Sequence, residues 1–363
     1  MDGIGVYLKN IKESRIWLLG RSIFRQIKRL YKESMSLVKQ FYELTFLSRG
    51  KYAPNHPDNE FFNKYYYSIT DKPDNEESSL NPVHGIICMC DGRQFHGGPT
   101  DRIRGILTTY REAKKMGIPF FINWTHPFQL ENYLVPATFD WTINPNQISY
   151  YKKDSFPFII EDEPDFQSFL RMKLGLKMWR PQIHVYSNAD NGRGEYSNLY
   201  KDLFKPSEKL QGKVEYHLSH IGAKYWAFTF RFRNLLGDFK DWWQEELTDD
   251  EKVKFMERVS AEMLKIARKI PKGYRILVTS DSRLFLDYVD KLDSRIYVVP
   301  GEVKNIDLSE GKFPDAWMKT FVDQQLLMHA EKVFLMRTGS MFKSGFPRFA
   351  AEVGGVEFID HKF

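Results

Sequence analysis

Residues 83–125, "VHGIICMCDGRQFHGGPTDRIRGILTTYREAKKMGIPFFINWT", decide the fold class. Their opening is an unbroken apolar run bounded by turn residues, the pattern of a strand covered on both faces. A polar turn carrying Gly97 and Gly98 follows. The next segment places Ile103, Ile106, Leu107 and Tyr110 on one helical face and stops at Lys114, Lys115 and Gly117. Residues 118–125 are strand-like again. Strand, glycine-rich turn, helix and strand form one βαβ unit, which predicts an α/β protein with a parallel sheet. Cys88 and Cys90 are two apart on the first strand, a spacing that seldom suits a disulfide. They read as buried free thiols, in keeping with a reducing compartment.

The second half repeats the pattern. "YWAFTFRFRN" (225–234) is a strand running into two arginines. In "LTDDEKVKFMERVSAEMLKIARKIPKG" (247–273), Thr248 and Glu251 form a capping box, and Lys272-Gly273 is the expected stop. "YRILVTSDS" (274–282), "RIYVVPG" (295–301) and "KVFLMRTGS" (332–340) read as strands, with helices at 283–292, 315–331 and from about 345 onward. Residues 143–222 are less regular, apart from a strand at 182–188. The expected organisation is one Rossmann-like domain over 83–215 and a second over 216–363, facing each other across a cleft.

The 363 residues carry 42% hydrophobic side chains, enough for a substantial core, and a net charge of +6. That charge is local: residues 1–50 hold ten Lys/Arg against four Asp/Glu, so the rest of the chain is formally neutral. The body therefore has no footprint for nucleic acid. Residues 1–50 read as a basic amphipathic helix, and 51–82, rich in Pro, Asn and Asp, as a linker. Charges interrupt every apolar run of that first segment, which excludes a signal peptide or a membrane span. Residues 9–49 suit an anionic membrane surface, and equally suit packing on the protein's own body or a partner.

In open α/β sheets ligands bind beyond the carboxyl ends of the strands. Four such ends here share one chemistry. The first carries the Gly97-Gly98 turn at a helix start, where unpaired N–H groups suit a phosphate or a sugar, although such a turn also serves tight packing. The second carries Arg231, the third Asp281 and Ser282, and the fourth Thr338, Gly339 and Ser340. An arginine, a carboxylate and a serine turn together describe a nucleoside diphosphate site. Neither the dinucleotide fingerprint nor the P-loop spacing is present. The acidic runs at 161–165 and 248–250 read as a loop and a helix cap, so no metal is expected. Trp242 and Trp243 suit either an acceptor groove or core packing.

"TFRFRN" (229–234), "VTSDS" (278–282) and "VDQQLLMHAEKVFLMRTGSMFKSGFPRFAA" (322–351) resemble the three C-terminal motifs of the GDP-fucosyltransferase superfamily. "GGPTDRIRGI" (97–106) is similar to that family's first-domain glycine-rich loop. The resemblance implies the GT-B fold, with two Rossmann-like domains. It also implies inverting, metal-independent transfer of fucose from GDP-fucose, with no cofactor, to a hydroxyl of a cell-surface or lipid-linked glycan. The setting would be cytoplasmic, at the inner face of the plasma membrane.

The family motif His-x-Arg-x-x-Asp reads Thr229, Arg231 and Asn234 here. The resemblance assigns Arg231 to the donor's β-phosphate, with Arg233, Gly97 and Gly98 also toward the donor. Asp281 and Ser282 are then expected by the nucleobase or ribose, and Ser340, Met341 and Phe342 under the phosphates. Asp101 and His96 are the candidates for a general base, although an Asp at a helix start also simply complements the dipole. Acceptor choice is assigned to first-domain loops such as 124–136. Thr229 and Asn234 keep a second reading open, a non-catalytic nucleotide-sugar or glycan-binding protein of the same fold.

Overall fold

The computed structural model describes residue 66 and residues 82–94, 97–151, 154–160, 181–190, 194–241, 245–301, 303–306 and 317–363. The basic segment 1–50, nearly all of the 51–82 linker, His96, the acidic run 161–165, and Trp242 and Trp243 lie outside the described residues. The chain divides into two units, Met1–Pro73 and Asp74–Phe363, and the strands and α-helices below all belong to the second.

In chain order these are β1 (Gly85–Cys90), α1 (Pro99–Met116), β2 (Phe120–Trp124), β3 (Leu134–Pro136), β4 (Ser155–Ile160) and β5 (Gln182–Ser187). Next come α2 (Tyr196–Leu203), β6 (Phe204–Pro206), α3 (Glu208–Ile221), β7 (Tyr225–Phe230), α4 (Asp249–Ala267) and β8 (Arg275–Ser280). The last are α5 (Arg283–Val289), β9 (Ile296–Val298), α6 (Met318–His329), β10 (Lys332–Arg337), α7 (Phe346–Gly354) and β11 (Glu357–Lys362). One sheet runs β2-β1-β5-β4 and another β11-β10-β7-β8-β9, each with parallel neighbours throughout. A short antiparallel ribbon pairs β3 with β6.

Every residue of β1 is buried, as its continuous apolar run predicts, both cysteines included, and both are thiols. Pro157 sits on edge strand β4, where its missing N–H breaks no ladder. Helix α1 lies so close to β5 that a Cβ on Gly105 would come within 2.0 Å of the Ser187 carbonyl oxygen. α1 ends in a left-handed Gly117, and α4 starts with Glu251 accepting from the Thr248 N–H at 2.8 Å. α4 stops at Ala267, five residues short of Lys272, because Pro271 has no N–H to donate and disfavours helical backbone at Ile270. The chain tightens there through bonds from Lys269 N to Ile266 O and from Ile270 N to Ala267 O.

Alternation along the second sheet gives it two buried faces. Tyr225, Ala227, Leu277 and Val333 share one core with α6, α7 and the first sheet; Phe228, Phe230, Ile276, Val278, Phe334 and Met336 pack with α4 and α5. Helix α6 is buried almost all round: Phe321 stacks on Tyr133 with centroids 4.5 Å apart, and Gln325 donates to the Tyr200 hydroxyl at 3.1 Å. The expected division at 215/216 falls within α3, whose neighbours are β6, β8 and α6.

Asp202, at the end of α2, fastens this helix to α1. It accepts from Lys114 Nζ at 2.6 Å, from the Tyr110 hydroxyl at 2.5 Å and from Thr138 Oγ1. Partial burial raises its pKa, but these hydrogen bonds outweigh that and hold the carboxyl down at about 2. A folded pKa below the unfolded one contributes stability above about pH 4 that is lost as pH falls toward 2. Asp202→Asn is therefore expected to lower the urea midpoint at pH 7, with the wild-type and variant midpoints converging between about pH 4 and pH 2. A gap of constant size across that range would show that the carboxylate's charge is not what holds α1 to α2.

Candidate active site

Strands β10, β7 and β8 are neighbours, so the segments leaving their carboxyl ends meet. β7 runs into Arg231 and Phe232 and then a 3₁₀ turn, Arg233–Leu236. Asp281, one residue past β8, is only 5% exposed and accepts from the Phe232 N–H at 2.9 Å and the Arg233 N–H at 2.7 Å. Its Oδ2 also lies 3.1 Å from Arg231 Nη1. Burial pushes this carboxyl up, and Arg231 and the two backbone N–H groups oppose the shift.

Arg231 reaches a second carboxylate, Asp241, at 3.3 Å, and its guanidinium lies 4.3 Å from the Phe239 ring centroid. Arg233 is the one non-glycine among the described residues with positive φ, at 56°, a conformation that costs energy for an L-residue. Asp281 holds that backbone in place. The Arg233 guanidinium stacks 3.6 Å over the Phe342 ring and approaches Asp241 at 3.7 Å; burial lowers its pKa while Asp241 opposes the shift. Two planar cations thus share one carboxylate, each with an aromatic ring against it.

The turn after β10 is tied to the same place, because the Phe342 N–H donates to Arg231 O at 3.1 Å. Gly339 takes φ 54°, and Met341 N donates back to Thr338 O. Met341 is buried, Phe342 and Ser340 are exposed, and the Ser340 hydroxyl donates to Glu245 at 3.2 Å. Ser282 caps α5: its Oγ accepts from Phe285 N at 3.1 Å and donates to Asp238, which itself accepts from Leu284 N at 2.7 Å. Thr229 lies inside the sheet, bonded to Thr279 Oγ1 at 2.8 Å, and Asn234 donates to Asp241 O at 3.4 Å. The structure therefore brings Arg231, Arg233, Asp281 and Phe342 together. It directs Asp281 at the arginine turn, and Ser282 at its own helix.

At the first sheet's carboxyl edge, Gly97 has φ 70° and Gly98 caps α1. Asp101 accepts from the Gly98 N–H at 3.1 Å and pairs with Arg104, which also reaches Asp190 at 2.9 Å. Sequence reasoning missed Arg102. It is 1% exposed, donating from Nε to Gly97 O at 3.0 Å and from Nη1 to His126 O at 2.7 Å. The available signal was its place four residues before Ile106, on α1's apolar face. Arg104 also lies against the start of α7: a Cβ on Gly345, just ahead of that helix, would lie 3.1 Å from Arg104 Nη1. Among the described residues no cluster of His, Cys, Asp and Glu is arranged to hold a metal ion, and no helix is long and apolar enough to cross a membrane.

No protein-family model and no curated protein matches the chain. Solved structures do. The NodZ α-1,6-fucosyltransferase soaked with GDP-fucose is 15% identical, with a TM-score of 0.49 over 74% of this chain and 92% of that one; NodZ comes from Bradyrhizobium. FUT1 of Arabidopsis thaliana in complex with GDP is 13% identical, with a TM-score of 0.47 over 85% of this chain and 76% of that one. POFUT1 in complex with GDP-fucose is 12% identical, with a TM-score of 0.42 over 77% of this chain and 98% of that one.

Proposed function

We propose that this chain is a GT-B glycosyltransferase that moves fucose from GDP-fucose to a glycan hydroxyl, with inversion and without a metal. The observation that carries the proposal is Arg231 at the end of strand β7, oriented by Asp281 and Asp241 and flanked by Arg233 and the 338–342 turn. As the nucleoside diphosphate leaves, negative charge develops on its β-phosphate. Preorganised guanidinium groups answer that charge without reorganising. The arginines supply the positive charge that a divalent cation supplies elsewhere, and this motivates the metal-independent reading.

In this proposal residues 216–363 hold the donor, with Ser340, Met341 and Phe342 beneath the phosphates. Residues 83–215 present the acceptor, with Gly97 and Gly98 facing the sugar. The attacking hydroxyl approaches the anomeric carbon from the face opposite the departing phosphate.

Thermal unfolding with GDP, UDP, ADP and CMP, each with and without EDTA, tests the proposal. A ligand at about 100 times its Kd adds about 2.7 kcal/mol of apparent stability. GDP alone is expected to raise the midpoint, unchanged by EDTA. A preference for UDP would discard fucose and keep the fold's chemistry, and indifference to all four would overturn the nucleotide-sugar reading.

A further inference from the structure

We infer that His126 is the general base that takes the proton from the attacking hydroxyl, an inference that rests on the transferase reading above. His126 stands two residues past the end of β2, on the first sheet's carboxyl edge. The N–H groups of Thr125 and His126 both donate to Cys90 O, at 3.1 and 3.0 Å, so the chain stays beside the end of β1. Space for the imidazole is built into the neighbouring backbone. Gly92 takes φ 81°, and a Cβ there would lie 2.6 Å from His126 Cγ, so only glycine fits beneath the ring.

The buried Arg102 fixes this residue relative to the glycine-rich turn. One guanidinium binds both Gly97 O and His126 O, so the proposed sugar-facing turn and the His126 backbone are held within its span. The same turn, through Asp101 and Arg104, reaches the start of α7 at Gly345. Among the described residues, three carboxylates of this edge are already engaged. Asp91 accepts from Arg93 N at 3.1 Å and from the Tyr186 hydroxyl at 3.2 Å; Asp101 and Asp190 are paired with Arg104, and Asp190 also accepts from Tyr196. The His126 side chain is exposed, and its ring nitrogens have no hydrogen-bond partner among the described residues. An imidazole seated against a glycine backbone and open to solvent is suited to accept a proton and pass it on.

In the step assigned to it, the acceptor oxygen forms its bond to the anomeric carbon while the bond from that carbon to the β-phosphate oxygen breaks. The bonding pair leaves with the nucleoside diphosphate. The hydroxyl proton passes to an unprotonated nitrogen of His126 and from the resulting imidazolium to solvent. Water can stand in for the glycan hydroxyl, so GDP release from GDP-fucose in water reads the step.

Wild-type protein, His126→Ala and His126→Gln are compared for that release, for the GDP-induced shift in unfolding midpoint, and for the effect of added imidazole. Both variants are expected to lose about 10²-fold or more in turnover while keeping the GDP shift, with free imidazole restoring part of the activity of His126→Ala. Turnover equal to wild type overturns the inference. So does a loss that imidazole does not restore, which makes His126 a positioning residue, or one that takes the GDP shift with it, which makes it structural. A wild-type protein that is stabilised by GDP yet releases none from GDP-fucose overturns the transferase reading, and this inference with it.

Discussion

Arg231→Ala is expected to lower GDP release from GDP-fucose by about 10²–10³-fold, the cost of removing one preorganised donor from a site of developing charge. Its effect on folding should be much smaller. Asp281 keeps its bonds from the Phe232 and Arg233 N–H groups, and Asp241 keeps Arg233 at 3.7 Å. Arg231 is itself 24% exposed, so water screens part of the lost pair. A stability loss of about 1–2 kcal/mol follows from those terms. Lysine should not rescue, because one ammonium cannot bridge Asp281 and Asp241 as a planar fork does. Turnover is to be measured where both proteins are fully folded. Unchanged turnover there would remove Arg231 from the donor site.

Much of the scaffold around this residue could be read from the sequence, because it is governed by local rules. The apolar run of β1, the Gly117 stop of α1 and the Thr248–Glu251 box of α4 each depend on residues within one turn of one another. Other elements depend on neighbours far along the chain. β11 reads "EFIDHK", with no clean alternation, and exists because β10 offers it a ladder from Lys332↔Glu357 to Arg337↔Lys362. The end of α4 was signalled by Pro271, which outweighs the more familiar Gly273. In the site, the types of residue were legible and their partners were not. Asp281 announces a carboxylate at a strand end, but only the fold shows it bonded to N–H groups 48 and 49 positions earlier. Arg102 gives still less away: a cation on an apolar helix face makes sense once the fold shows it beside the Trp124 ring and joining two carbonyl oxygens, one of them that of His126.

The clearest separation of positioning from contact comes from Asp281→Ala. This change leaves one buried and one partly buried N–H group without their acceptor, removes one of the two carboxylates on the Arg231 guanidinium and frees the positive-φ backbone of Arg233, so a loss of about 3 kcal/mol or more is expected. Burial already holds the Asp281 carboxyl above its ordinary pKa, so its charge is not itself a gain for folding; the hydrogen bonds it accepts are. Turnover should fall as well, because Arg231 loses one of its two anchors. The double variant Arg231→Ala/Asp281→Ala then decides what Asp281 does. If it acts by holding Arg231, the double variant turns over about as slowly as Arg231→Ala alone, and the two losses are far from additive. The preference for GDP over UDP in thermal unfolding should survive in each variant. A further fall in turnover with the preference intact would assign the remainder to Arg233, whose backbone the same carboxylate holds. Loss of the preference for GDP in Asp281→Ala would instead mean that the carboxylate faces the nucleobase, against the inward direction of both its oxygens.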